Sequence, residues 1–148
     1  MNNIKDYFSE DFLKKYDGKN LVVYFYPKDN TPGCTTEAIN FTERIDDFEA
    51  LNTEVVGISK DSDKTHENFK NKHDLKIDLV SDKEKVLHEK FDVIKQKKLY
   101  GKEVMGTERS TFVFNKAGEL IKEYRKVKVK GHVDEVYDFL KGYLDEHK

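Results

Sequence analysis

The chain carries a single cysteine, Cys34, which closes the segment Pro27-Lys28-Asp29-Asn30-Thr31-Pro32-Gly33-Cys34. A lone thiol forms no internal disulfide, and alone it builds no structural zinc site, which takes several cysteines. It is either an inert core residue or a nucleophile toward an outside electrophile. The flanking residues favour the nucleophile. Pro32 suits the first position of a helix and Thr31 the cap before it, so Cys34 falls in the first helical turn. Unpaired backbone N–H groups and the helix dipole favour an anion there, and the thiolate is the reactive form of cysteine. The five histidines, His66, His73, His88, His132 and His147, lack the close spacing of a metal site. They read as surface or helix residues, and no metal is expected.

Hydrophobic periodicity gives the elements that must hold this thiol. Leu21 to Tyr26 is an apolar, β-prone hexamer, and Ala38, Phe41, Ile45 and Phe48 then recur at helical spacing, predicting one helix from about Pro32 to Leu51. Upstream, Phe8 to Tyr16 reads as a short helix capped by Ser9 and ended by Gly18. Downstream come a strand at Glu54 to Ser59 and a helix capped by Asp61 or Ser62 and running to Lys72. A weak strand at Ile77 to Val80 follows, then a helix begun by Ser81 or Asp82 that carries Val86, Leu87 and Phe91. Asp92 to Glu108, with Lys95, Lys97, Lys98 and Lys102, reads as a solvated loop. Ser110 to Phe114 and Glu119 to Tyr124 form a hairpin about the turn Asn115 to Gly118. An amphipathic helix with Val133, Val136, Tyr137, Leu140, Tyr143 and Leu144 closes the pattern.

The order βαβαβα followed by ββα implies parallel strands joined by a late antiparallel pair. With a thiol at the first strand-to-helix junction it resembles a thioredoxin-like α/β fold, a mixed central sheet flanked by helices on both faces. No repeat or linker interrupts it, so residues 1–148 read as one domain. The eight tyrosines and ten phenylalanines are assigned to core, and no cofactor is expected. Basic residues number 27 and acidic residues 29, for a formal net charge of -2, which argues against a nucleic-acid partner. No apolar run approaches the roughly 20 residues of a membrane span. Met1 to Lys15 is too charged for a secretory signal, so a cytoplasmic location is expected.

The Pro27-x-x-x-Thr31-x-x-Cys34 pattern matches the peroxiredoxin active-site signature. The longer string Phe25 to Ala38 resembles the bacterioferritin comigratory protein branch, also called peroxiredoxin Q. Gly57-Ile58-Ser59, Leu79-Val80-Ser81-Asp82, Arg109-Ser110-Thr111-Phe112 and Lys126-Val127-Lys128-Val129-Lys130-Gly131-His132 match in the expected order, from about Gly18 to the C-terminus. The resemblance implies a thiol-dependent peroxidase, an antioxidant oxidoreductase reducing hydrogen peroxide and small organic hydroperoxides. In it Cys34 attacks the O–O bond and becomes a sulfenic acid. Thr31 holds the peroxide, Pro27 shields the sulfur, and Gly33 belongs with Thr31, Cys34 and Arg109 to the substrate pocket. Arg109 favours the thiolate and the charge moving onto the leaving oxygen, and Glu37 orients Arg109. The rival reading is a redox sensor that uses Cys34 oxidation as a signal without efficient turnover.

Two positions depart from the branch. Many members carry a resolving cysteine five residues after the first, where this chain has Ile39. A one-cysteine mechanism follows, with an external thiol reductant such as thioredoxin, glutaredoxin or a low-molecular-weight thiol. A less mobile active-site helix is expected as well. The residues before the first strand lack the Gly-Asp-x-Ala-Pro-x-Phe pattern of a small hairpin, which leaves one pocket edge more open. Relatives of this branch are often monomers, and the same state is expected here.

Overall fold

Asn20-Leu21-Val22-Val23-Tyr24-Phe25 is buried at every position, and a strand buried on both faces belongs at the centre of a covered sheet. A computed structural model, which describes residues 3–147, places it there as β1 (Asn20–Phe25). The sheet has five strands in the order β3-β2-β1-β6-β7, with β2 at Thr53–Ser59, β3 at Asp78–Ser81, β6 at Ser110–Phe114 and β7 at Leu120–Tyr124. β1, β2 and β3 are mutually parallel, whereas β6 pairs antiparallel with both β1 and β7.

Alternation along β1 divides the core in two. Val22, Tyr24 and Tyr26 face α2 (Pro32–Glu43), α3 (Ile45–Ala50), α4 (Asp63–His73) and α6 (His132–Glu146), packing with Ala38, Phe41, Phe48, Phe69, Val136 and Leu140. Leu21, Val23 and Phe25 face the other way, toward Phe91, Phe112 and Phe114. The N-terminal segment covers that second face. Its helix α1 (Glu10–Lys14) is capped by Ser9, which accepts from the Phe12 N–H, and Phe8 and Tyr16 are buried. Helices thus cover both faces of a mixed sheet, as the element order predicts.

Three local expectations need correction. Asp92 to Glu108 is a hairpin, not a loop: β4 (Ile94–Leu99) and β5 (Lys102–Thr107) form a separate antiparallel pair. Its two-residue turn, Tyr100-Gly101, has φ of 53° and 79°, the double left-handed geometry that matches strand twist. Lysines fill positions where apolar alternation would have marked the strands. The helix after β1 is broken at Arg44 (φ -108°, ψ 13°) into α2 and α3. There the guanidinium binds Asp47 at 3.1 Å and Asp134 at 2.7 Å and lies 4.1 Å over the Tyr137 ring. The helix expected from Ser81 or Asp82 begins only at Val86, as α5 (Val86–Lys90). Asp82 still serves its entrance, accepting from the Leu87 and His88 N–H groups at 3.1 and 2.8 Å.

Candidate active site

The antiparallel pairing of β1 with β6 sets Phe25 opposite Ser110. The loop leaving β1 and the residue entering β6 therefore meet at one end of the sheet. That residue is Arg109, 75 positions from Cys34, and its Nη2 donates to the Cys34 sulfur at 3.3 Å. Nη1 of the same guanidinium donates to Glu37 Oε1 at 2.6 Å. Cys34 is 1% exposed and Glu37 wholly buried, so both contacts lie in a region of low dielectric. Cys34 and Glu37 stand one turn apart on α2, which lets one guanidinium bridge them.

Burial pushes the Glu37 carboxyl up, from its ordinary 4.5 to about 7, although the neighbouring guanidinium pulls it down. For Arg109, burial works against the charge, but Glu37 and Cys34 outweigh it and hold the guanidinium protonated. Glu37 Oε2 and the fully buried Tyr24 hydroxyl have no hydrogen-bond partner among the described residues. Gly33 sits against the guanidinium: a Cβ there would stand 3.4 Å from Arg109 Nη2 and 4.0 Å from Val129.

Pro27 and Thr31 lie on the loop between β1 and α2, and both are partly buried. Thr31 occupies the cap position with extended backbone (φ -84°, ψ 151°), but its side chain does not cap the helix. Its hydroxyl donates instead to the Lys28 carbonyl at 2.8 Å. Pro32 begins α2 as expected, and the first turn holds no acidic side chain to compete with an anion. Ile39 is partly buried and packs against the core.

The histidines read as surface or helix residues, and His66, His88 and His132 stand on α4, α5 and α6; what the sequence does not show is that these three are buried and paired with carboxylates. His66 Nδ1 lies 2.6 Å from Asp29 Oδ2, His88 Nδ1 lies 2.6 Å from Asp82 Oδ2, and His132 Nδ1 lies 3.2 Å from Glu135 Oε1. The second nitrogen of His88 meets Thr107 Oγ1 at 3.0 Å, and that of His132 meets Thr111 Oγ1 at 2.7 Å. Burial lowers the His132 pKa, with Arg109 adding to the effect against the pull of Glu135. Asp29, Asp61 and His66 offer donor atoms within 4.8 Å of one another, the spacing of a metal-ligand set. Those atoms are engaged with one another and with Tyr26, Ser59 and the backbone. No local signal marks the Asp29–His66 pair, whose members are 37 positions apart.

Among known proteins, the model of the AhpC/TSA family matches residues 5–123. Peroxiredoxin Bcp of Bacillus subtilis is 54% identical over 134 residues, 90% of this chain and 85% of its own length. Peroxiredoxin Bcp of Xanthomonas campestris is 47% identical over 90% of this chain and 84% of its own. The X. campestris bacterioferritin comigratory protein was solved as trapped intermediate and ligand complexes bearing on its alkyl peroxide reduction. It superposes with a TM-score of 0.84 at 46% identity, covering 88% of this chain and 83% of that one. A Xylella fastidiosa PrxQ mutant gives 0.85 at 44% identity, covering 89% and 82%. A thiol held by a guanidinium at the start of a helix, in a chain this similar over nearly its whole length, places the protein in the AhpC/TSA family, as a peroxiredoxin of the bacterioferritin comigratory protein type.

Proposed function

We propose that this peroxiredoxin reduces hydrogen peroxide and small organic hydroperoxides in a one-cysteine cycle, with Cys34 as the attacking sulfur. The observation that carries this is the buried Cys34 sulfur within 3.3 Å of a guanidinium that Glu37 holds from the other side. A positive charge at that distance stabilises negative sulfur. It also stands where charge develops as the peroxide bond breaks, and a preorganised donor of this kind is worth about 10²- to 10³-fold in rate. The sulfur forms a bond to the terminal peroxide oxygen while the O–O bond breaks. The departing oxygen leaves with the electron pair and takes a proton to become water or an alcohol. Sulfur, oxidised by two electrons, becomes a sulfenic acid.

Thr31 serves the peroxide. Its proton points at the Lys28 carbonyl, which leaves the oxygen lone pairs free to accept the peroxide O–H. Pro27 borders the same loop and offers no N–H to compete. With one cysteine in the chain, the cycle closes through an outside thiol. That thiol condenses with the sulfenic acid to give a mixed disulfide and water. A second thiol then releases the outside disulfide and restores Cys34. A cytoplasmic location, where thiols stay reduced, suits a cycle that runs through one free thiol. Among the described residues no helix is long and apolar enough to cross a membrane.

Stopped-flow oxidation by hydrogen peroxide, beside a Cys34→Ser variant, tests the reading. Fast oxidation that vanishes in the variant is expected. Oxidation no faster than that of a free thiol overturns it. Turnover with thioredoxin, glutaredoxin or a small thiol then identifies the reductant.

A further inference from the structure

The loop that carries Pro27 and Thr31 turns around Asp29, whose two carboxylate oxygens and backbone N–H are each held by another residue. Its Oδ1 accepts from the Tyr26 hydroxyl at 2.5 Å, at the end of β1. Its backbone N–H donates to Asp61 Oδ2 at 2.8 Å. Asp61 is fixed in turn by the Ser59 hydroxyl at 2.7 Å, and its carbonyl accepts from the Ser81 hydroxyl at 2.6 Å, at the end of β3. The third tie on Asp29 comes from α4, where His66 Nδ1 meets Asp29 Oδ2 at 2.6 Å and Nε2 meets the Val80 carbonyl at 3.1 Å. A carbonyl only accepts, so Nε2 carries a proton. A carboxylate only accepts, so Nδ1 carries one too. The arrangement is an imidazolium clamped between a carboxylate and a strand carbonyl, with His66 and Asp29 each only 4% exposed.

Resting on the peroxidase reading above, we infer that His66 is a positioning residue for the peroxide step: through Asp29 it fixes the loop that aims the Thr31 hydroxyl. The path is short. Asp29 lies between Lys28, whose carbonyl receives the Thr31 proton, and Asn30, whose left-handed φ of 65° turns the chain toward the helix. Releasing Asp29 lets Lys28 and Thr31 shift together, and the lone pairs that receive the peroxide shift with them. Cys34 and Arg109 hold their own contact from α2 and β6, so the sulfur keeps its guanidinium. The device therefore separates two reactivities. Attack on peroxide needs the aimed hydroxyl, whereas alkylation of the sulfur by iodoacetamide does not.

His66→Leu removes both donors at similar volume, and His66→Asn restores a donor where Nδ1 stood. Cys34 oxidation by hydrogen peroxide and its alkylation by iodoacetamide are measured on each protein and on the wild type. A misplacement of the order of an ångström costs roughly a hundredfold, so His66→Leu is expected to slow oxidation about ten- to a hundredfold. Alkylation should stay within about twofold, and the asparagine variant should recover most of the oxidation rate. Equal slowing of both reactions, or no slowing of oxidation in a wild-type background that reacts fast, overturns the positioning role. If wild-type oxidation is itself no faster than a free thiol, it is the peroxidase reading that fails. Should the leucine variant not fold, the Asp29→Ala/His66→Leu double variant removes both charges together, which a folded core tolerates better than one unpaired charge. The same split between oxidation and alkylation is expected there, and its absence is equally decisive.

Discussion

Replacing Glu37 with glutamine tests the charge around the thiol while keeping its shape. Glu37 is fully buried and accepts from Arg109 Nη1 at 2.6 Å, while Oε2 has no partner among the described residues. Burial lifts the carboxyl from 4.5 to about 7 against the pull of Arg109. Because the folded value lies above the unfolded one, the native state holds an extra proton between them. Stability is therefore full below about pH 4.5 and falls as pH rises through about 7. At about 1.4 kcal/mol per pH unit, the loss by about pH 8 comes to about 3 kcal/mol. Glutamine has no proton to release. Urea unfolding across this range, in a Cys34→Ser background that cannot oxidise, should show the variant gaining about 3 kcal/mol on its parent between the two extremes. A difference flat to within about 1 kcal/mol refutes the reasoning, because Glu37 would then release its proton at the same pH in the folded and unfolded states. Activity gives an independent arm, measured with Cys34 in place. The amide oxygen still accepts from Nη1, so only charge assistance is lost, about 1 kcal/mol or roughly fivefold in oxidation rate above pH 7. Near pH 5 the two proteins should oxidise at the same rate, since the wild-type carboxyl is then neutral as well.

Arg109→Met should slow Cys34 oxidation by about 10²- to 10³-fold in stopped flow, and a loss under about tenfold would remove the guanidinium from the transition state. Gly57→Ala should destabilise by about 1–3 kcal/mol, seen as a fall in Tm of roughly 3–10 °C. The new Cβ would lie 2.8 Å from Tyr24 Cζ and 2.9 Å from its hydroxyl, inside the core. Tyr24→Phe should stabilise by about 1 kcal/mol in urea unfolding, because a buried hydroxyl without a partner is removed. The Asp29–His66 tie should weaken as pH rises. Burial lowers the His66 pKa but Asp29 raises it more, so the folded value exceeds the ordinary 6.5. The stability difference between wild type and His66→Leu should therefore be greatest below about pH 6.5 and shrink through the folded value, and a difference that grows with pH would contradict it. With Ile39 packed on the core, hydrogen exchange at Thr35 to Phe41 should not quicken after oxidation.

What the sequence discloses about this site depends on how local the determining contacts are. The place of Cys34 in a first helical turn follows from neighbouring residues, Pro32 above all, and α2 begins there. Arg109 has no such local mark. It entered through family resemblance, and its contact with the sulfur is made by the pairing of β1 with β6, which brings the loop after Phe25 to the residue before Ser110. The β4–β5 hairpin escaped because its strands carry lysines, leaving the Tyr100-Gly101 turn as the sole signal. Thr31 shows how a local rule yields to a distant one. Its residue type and position call for a helix cap, yet the hydroxyl serves the Lys28 carbonyl, in a loop whose course is held by Tyr26, Asp61 and His66. The helix start supplies a field that favours an anion, but a field alone does not aim a substrate. Aiming requires a loop fixed from outside, and three parts of the chain that follow the loop in sequence supply that: the end of β2, the end of β3, and α4. The helix-start field that favours an anion is therefore readable from a few adjacent residues, whereas the Arg109 charge on the sulfur and the aim of Thr31 come only from the closed fold.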